Sequence, residues 1–177
     1  MRVSINFRMG FLGKIGDAFK EIEYHTSDAP EIVGKRWEDR VVSLFQSRYF
    51  SIVEKTHPFE TNASRFVESS KNPDFIFKYR PTGEHFAVEC KFRMGLNAKR
   101  QLEWSNPVQL RRYQDFEQRR KMPVFVVIGL MDYDSREEVM FNIPLSVAKY
   151  PALYESVFGK YERPVDKPFF WRMGMLS

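Results

Sequence analysis

Between Asn72 and Arg93 the chain reads N-P-D-F-I-F-K-Y-R-P-T-G-E-H-F-A-V-E-C-K-F-R. Two runs rich in Phe, Tyr, Ile and Val flank Pro81-Thr82-Gly83, the pattern of two β-strands joined by a tight turn. Side chains alternate between the two faces of a strand. The second run therefore puts Phe86, Val88, Cys90 and Phe92 on one apolar face and Glu89 and Lys91 together on the other. In the first run Phe75, Phe77 and Tyr79 form the buried row, which leaves Asp74 on the opposite side. Closing the hairpin brings Asp74 close to Glu89, so that two carboxylates and an ammonium converge. His85 shares the face of Glu89 and Lys91 by the same alternation, either as a surface histidine or as a substrate contact.

Such a cluster has a chemical use. Neighbouring carboxylates repel unless a cation lies between them. Their hard oxygens suit Mg²⁺, which keeps several waters and completes its shell with phosphate oxygens. A nearby lysine can orient or deprotonate one of those waters and can offset charge building on a phosphate. This is equipment for metal-assisted hydrolysis of a phosphodiester.

Pro73-Asp74, fourteen residues, and then Glu89-Cys90-Lys91 resembles the signature of the PD-(D/E)XK nuclease superfamily. That group includes restriction endonucleases, archaeal-type Holliday junction resolvases and repair nucleases. The resemblance implies an α/β fold with a restriction-endonuclease-like core, α-β-β-β-α-β, whose mixed sheet is flanked by helices. It implies that Asp74 and Glu89 hold Mg²⁺, with Mn²⁺ able to substitute, and that the backbone carbonyl of Cys90 joins them. Lys91 would position the attacking water, and the product would carry a 5′-phosphate.

Two further residues come into the site through the same resemblance. Residues 30–47 read as a helix, with Pro30 suited to its first turn and a core stripe of Trp37, Val41 and Leu44. Glu38 lies at the edge of that stripe, as a boundary carboxylate paired with a cation or as an addition to the metal site. Gly34-Lys35-Arg36-Trp37-Glu38 looks like the corresponding helix of resolvase-type members. A second helix starts near Asn106-Pro107, with Gln109, Tyr113 and Phe116 on one side and Leu110 beside them. Gln109 either serves the helix cap or, as in several branches of the superfamily, lies beside the catalytic lysine; Gln114 is the fallback.

Around this core, Phe50 to Phe59 reads as the first strand, and Pro123 to Met131 as a strand covered on both faces. Glu138 to Ile143 reads as a further strand, a candidate edge. The expected organisation is an N-terminal extension over 1–29 with an amphipathic helix at Phe11–Glu23, a nuclease-like core over 30–143, and a helical and aromatic extension over 144–177 packed on it.

The single cysteine, Cys90, excludes an internal disulfide and fits a cytoplasmic setting. Its place on the apolar face makes it a core residue rather than a nucleophile. No apolar run approaches the length of a membrane span. The net charge is +5, yet Lys91 to Lys121 alone holds nine basic residues against three acidic ones. The excess is therefore concentrated behind the candidate catalytic lysine, where it is either a solvated helix face or a phosphate-contacting surface. Lys99, Arg100, Arg111, Arg112 and Arg65 are the candidate backbone contacts. DNA is the expected partner and RNA stays open. Resolvases act as dimers, so the resemblance also allows a homodimer. The expected function is a metal-dependent nuclease; the rival is a catalytically idle nucleic-acid-binding module with the same fold.

Overall fold

The computed structural model describes residues 30–56, 72–131 and 137–177. The amphipathic stretch at 11–23 and Arg65 fall outside these residues.

Helix α1 spans Pro30–Ser43 and buries Trp37 and Val41. It stops short of the expected Ser47. The amides of Leu44 and Phe45 bond back three residues to Val41 and Val42, tightening the last turn. The Gln46 carbonyl then accepts from the amides of Tyr49 and Phe50 and turns the chain into β1, Phe50–Lys55.

Strands β2, Phe75–Tyr79, and β3, His85–Arg93, form the expected antiparallel hairpin, with Phe75 opposite Val88 and Phe77 opposite Phe86. Gly83 in the turn has φ of 75°, a left-handed conformation that glycine adopts at little cost. After β4, Gln101–Glu103, helix α2 spans Pro107–Arg120. Its cap is Asn106, whose Oδ1 accepts from the Gln109 amide at 2.9 Å. Strands β5, Val124–Met131, and β6, Glu138–Pro144, follow, then β7, Ala152–Tyr154. Helix α3, Glu155–Phe158, leads through a 3₁₀ turn at Gly159–Tyr161 to β8, Glu162–Arg163. The ribbon of β9, Trp171–Arg172, and β10, Met175–Leu176, ends the chain.

The main sheet has six strands in the order β1-β2-β3-β5-β6-β8. β3 and β5 are parallel and every other adjacent pair is antiparallel. A parallel pair needs a crossover connection, and α2 supplies it. β5 is buried from Val124 to Leu130, as its continuous apolar run implies. β6 is not an edge, because β8 pairs with Met140 and Phe141. The segment between Arg93 and Asn106 contains β4, which pairs with β7 in a separate ribbon. In residues 144–177 helix is confined to α3 and the 3₁₀ turn, and the rest is short strands joined by turns and irregular chain. Aromatic area anchors this tail: Trp171 stacks on Phe86 and Phe169 on Phe45, each with ring centres 4.5 Å apart.

Both faces of the sheet are covered. Trp37 and Val41 of α1 pack with Phe75, Phe77, Phe86, Val88 and Cys90. Leu110, Tyr113 and Phe116 of α2 pack with Ile76, Ala87, Val126 and Ile128. The hairpin face that carries Glu89 is therefore roofed by α2. On the α1 side, a methyl at Gly129 of β5 would lie 2.7 Å from the Phe92 ring and 2.9 Å from the Trp37 ring. Gly129→Ala is therefore expected to lose about 1–3 kcal/mol of stability through overpacking. Urea denaturation measures this, and an unchanged midpoint would mean that the two rings slide aside.

Candidate active site

The hairpin register builds the site. Ile76 faces Ala87, and continuing that antiparallel register by two residues sets Asp74 opposite Glu89. Thr56, just beyond β1, holds the chain there. Its Oγ1 donates to the Pro73 carbonyl at 2.8 Å and its amide to the Asp74 carbonyl at 2.9 Å. Oδ2 of Asp74 accepts from the Cys90 amide at 2.7 Å, tying the carboxylate to β3.

Glu89 is only 2% exposed. A buried carboxylate is tolerated only when it is paired and hydrogen-bonded, and Glu89 is both. Its Oε1 accepts from the Tyr113 hydroxyl of α2 at 2.6 Å and lies 2.5 Å from Nζ of Lys91. Asp74, Glu89 and Lys91 thus occupy one neighbourhood on the α2 side of the hairpin.

The electrostatics follow from this crowding. Burial, and then the charge of Glu89, push the Asp74 carboxyl well above its ordinary range; Lys91 and the Cys90 amide oppose them. Burial works to lower the Lys91 ammonium. The charges of Glu89 and Asp74 and the hydrogen bond to Glu89 overcome it, so Lys91 is held above its usual range. Burial, the Glu89 charge and the Glu89 hydrogen bond raise the Tyr113 hydroxyl, which remains a donor at any working pH. The Cys90 thiol, buried on the α1 side, is raised by burial first and by Asp74, Glu89 and Glu38 next, as befits a core residue.

Glu38 reaches the cluster through its charge. It is half-buried on α1. Burial raises its carboxyl, Lys35 and Lys55 oppose this, and Asp39 and Glu89 add to it. The field of Glu38 bears in turn on Asp74. Among the described residues no three His, Cys, Asp or Glu side chains gather tightly enough to form a metal-ligand group. Glu89 turns its Oε1 to Tyr113 and Lys91, while Asp74 turns its Oδ2 to the Cys90 amide.

Tyr113, one helical turn beyond Gln109, contacts the Glu89–Lys91 pair. Gln109 itself is half-buried and lines a cavity of about 450 Å³ that also reaches Arg93. Gln114 is exposed. His85 shares the face of Glu89 but sits four residues away, roughly 13 Å along the strand. Of the basic candidates, Lys99, Arg100 and Arg111 are exposed, and Arg112 is half-buried with its Nε unpartnered. At the far end of α2, Arg120 lies 3.4 Å from Glu54.

The sequence pattern places Tyr113 on one side of the helix with Gln109 and Phe116 and assigns it no role. The available signal was its hydroxyl, which needs a partner when buried. Arg93 was counted only as charge. Its guanidinium donates to the carbonyls of Glu103 at 2.6 Å and of Phe92 and Trp104 at 2.8 Å, fixing the loop beyond β3. Tyr113→Phe is expected to cost about 1.5–3 kcal/mol, the worth of a hydrogen bond to a charged group. Chemical denaturation checks it; a neutral result would show that Lys91 alone satisfies Glu89.

No family model matches the sequence, and no curated protein does. Solved structures match in fold. One is a Holliday junction resolvase from the hyperthermophilic archaeon Archaeoglobus fulgidus, with a TM-score of 0.50 and 15% identity over 75% of this chain and 97% of that one. The fold is accordingly the expected one: an α/β, restriction-endonuclease-like core with a mixed sheet between helices. Among the described residues no helix is long and apolar enough to cross a membrane.

Proposed function

We propose that this protein is a metal-dependent nuclease of the PD-(D/E)XK type that hydrolyses phosphodiester bonds in DNA. The observation that supports this most is the shared neighbourhood of Asp74, Glu89 and Lys91 on one face of the hairpin, in a restriction-endonuclease-like core. The likeness to a resolvase fold brings branched DNA into the substrate range.

The donor set suits a hard divalent cation. Asp74 is pushed toward its neutral form by burial and by Glu89, and a cation between the two would reverse that balance. Asp74 and Glu89 would hold Mg²⁺ or Mn²⁺, with Glu38 and the Cys90 carbonyl as further oxygen donors. The metal, when bound, would polarise the phosphate and acidify a water.

The remaining work belongs to the side chains. Lys91, held charged, donates to the attacking water and offsets charge developing on the phosphate. Tyr113 fixes Glu89, and Thr56 together with the Cys90 amide fixes Asp74. Gln109 orients Lys91 or a phosphate. Water attacks in line, the bond from phosphorus to the 3′-oxygen breaks, the proton given up by the water is balanced through solvent by one taken up at the 3′-oxygen, and a 3′-hydroxyl and a 5′-phosphate remain. Lys99, Arg100, Arg111 and Arg112, with Arg65, hold the backbone through salt-sensitive contacts.

One observation favours a rival, a DNA-binding module without turnover: Glu89 is enclosed and its Oε1 is already paired with Tyr113 and Lys91. A substrate panel of duplex, nicked, flapped and four-way DNA, and RNA, separates the two. Cleavage of DNA with Mg²⁺ or Mn²⁺ and none with EDTA is expected. Mg²⁺ should also raise the melting temperature, because it binds the native state only. DNA binding with neither cleavage nor metal stabilisation would establish the rival.

A further inference from the structure

Two adjoining cavities, of about 450 and 480 Å³, run from the end of β3 past the start of α2 toward the β4–β7 ribbon. They share Asn97, Glu103, Ser105 and Asn106 in their walls. The first also reaches Arg93, on the Lys91 side of β3 and roughly 7 Å along the strand from it. The trough therefore starts beside the proposed catalytic cluster. Each half is within the size range of small-ligand pockets.

Its chemistry selects the occupant. Ser105 is 6% exposed, lines both cavities, and has an Oγ with no hydrogen-bond partner. The guanidinium of Arg93 is already committed to three carbonyls. The shared wall holds one carboxylate, Glu103, and otherwise neutral groups. A phosphate in the shared wall would meet that carboxylate, with Arg93 committed to carbonyls and Lys99 lining only the second cavity. A nucleobase suits it: Glu103 can accept from an exocyclic amino group, and side-chain amides and a hydroxyl can read both donors and acceptors. A base reaches such a trough only when it is unpaired. Lys99, in the wall of the second cavity, can contact the backbone that carries it. Tyr150 and Tyr154, 71% and 60% exposed, flank the Pro151–Ala152 wall in sequence and offer stacking surface.

We infer that the trough seats an unpaired nucleotide of the substrate strand, base inward, next to the phosphate to be cut. This deepens the nuclease reading and rests on it: the protein would prefer DNA with unpaired nucleotides, such as flaps, over continuous duplex.

Binding in EDTA tests the inference apart from cleavage. The probes are blunt duplex and flapped duplex with 2-aminopurine at the first unpaired position. Wild type should bind the flap more tightly than the duplex and change the 2-aminopurine emission. Ser105→Ala and Glu103→Gln should each weaken flap binding about tenfold, with duplex binding and melting temperature unchanged. Wild type that binds both probes alike, or variants that keep the full flap preference, would overturn the inference. Flap preference in a protein that never cleaves would sustain the trough and remove the catalytic proposal.

Discussion

Lys91→Ala should lower DNA nicking on the order of 10²–10³-fold, the usual cost of losing one group that stabilises developing charge. The substitution removes the ammonium 2.5 Å from Glu89 and leaves the two carboxylates in place. Backbone contacts to DNA come from other cations, so binding should persist with its salt dependence intact. A stability cost is also expected, because Glu89 would keep only the Tyr113 hydroxyl. Lys91 is 20% exposed, so that cost should be about 1–3 kcal/mol, below that of breaking a fully enclosed pair. Melting curves must accompany the nicking assay, and Lys91→Arg serves as a second variant that keeps the charge. Equal nicking by wild type and Lys91→Ala would assign the activity to a contaminant and remove the proposed mechanism.

Asp74→Asn should abolish metal-dependent nicking while making the metal-free protein more stable at neutral pH. An acid whose folded value is raised binds its proton more tightly in the native state than in the unfolded chain. Stability is then greatest below the unfolded value, near the ordinary 3.8. It falls as pH rises from there through the folded value, while native Asp74 is forced to ionise beside Glu89. Asparagine removes that loss. Its side-chain oxygen can still accept from the Cys90 amide, so the local geometry should hold. Thermal melts from pH 4 to 8 should show a declining metal-free stability in wild type that flattens in Asp74→Asn. Mg²⁺ should restore stability at pH 7 in wild type only. A variant that melts lower than wild type at neutral pH would show Asp74 to be a structural carboxylate, stabilised by its amide contact rather than poised for a cation.

The hairpin and its chemistry were legible because strand alternation is a local rule. Ile76, Glu89 and Cys90 fall on the faces that parity assigns, and the turn at Gly83 sets the register that brings Asp74 to Glu89. The strand at Val124–Met131 was equally legible, since a continuous apolar run has few other uses. Short pairings were not. β4 and β7 are three residues each and carry no period of their own; they exist because each finds the other across the chain. Helix α1 ends early for a similar reason, as a turn after Phe45 aims β1 into the sheet.

By itself, then, the order of residues determined the hairpin, the flanking helices and the side of the sheet on which the acids and the lysine lie. Only the tertiary structure decided how those groups are held. The α2 crossover roofs the face of Glu89, encloses its carboxylate, and makes Tyr113 and Lys91 its obligatory partners. It also places the start of α2 beside the end of β3, opening the trough around Ser105. Burial and pairing between residues distant in sequence depend on which elements pack together, and local periodicity carries no information about that choice.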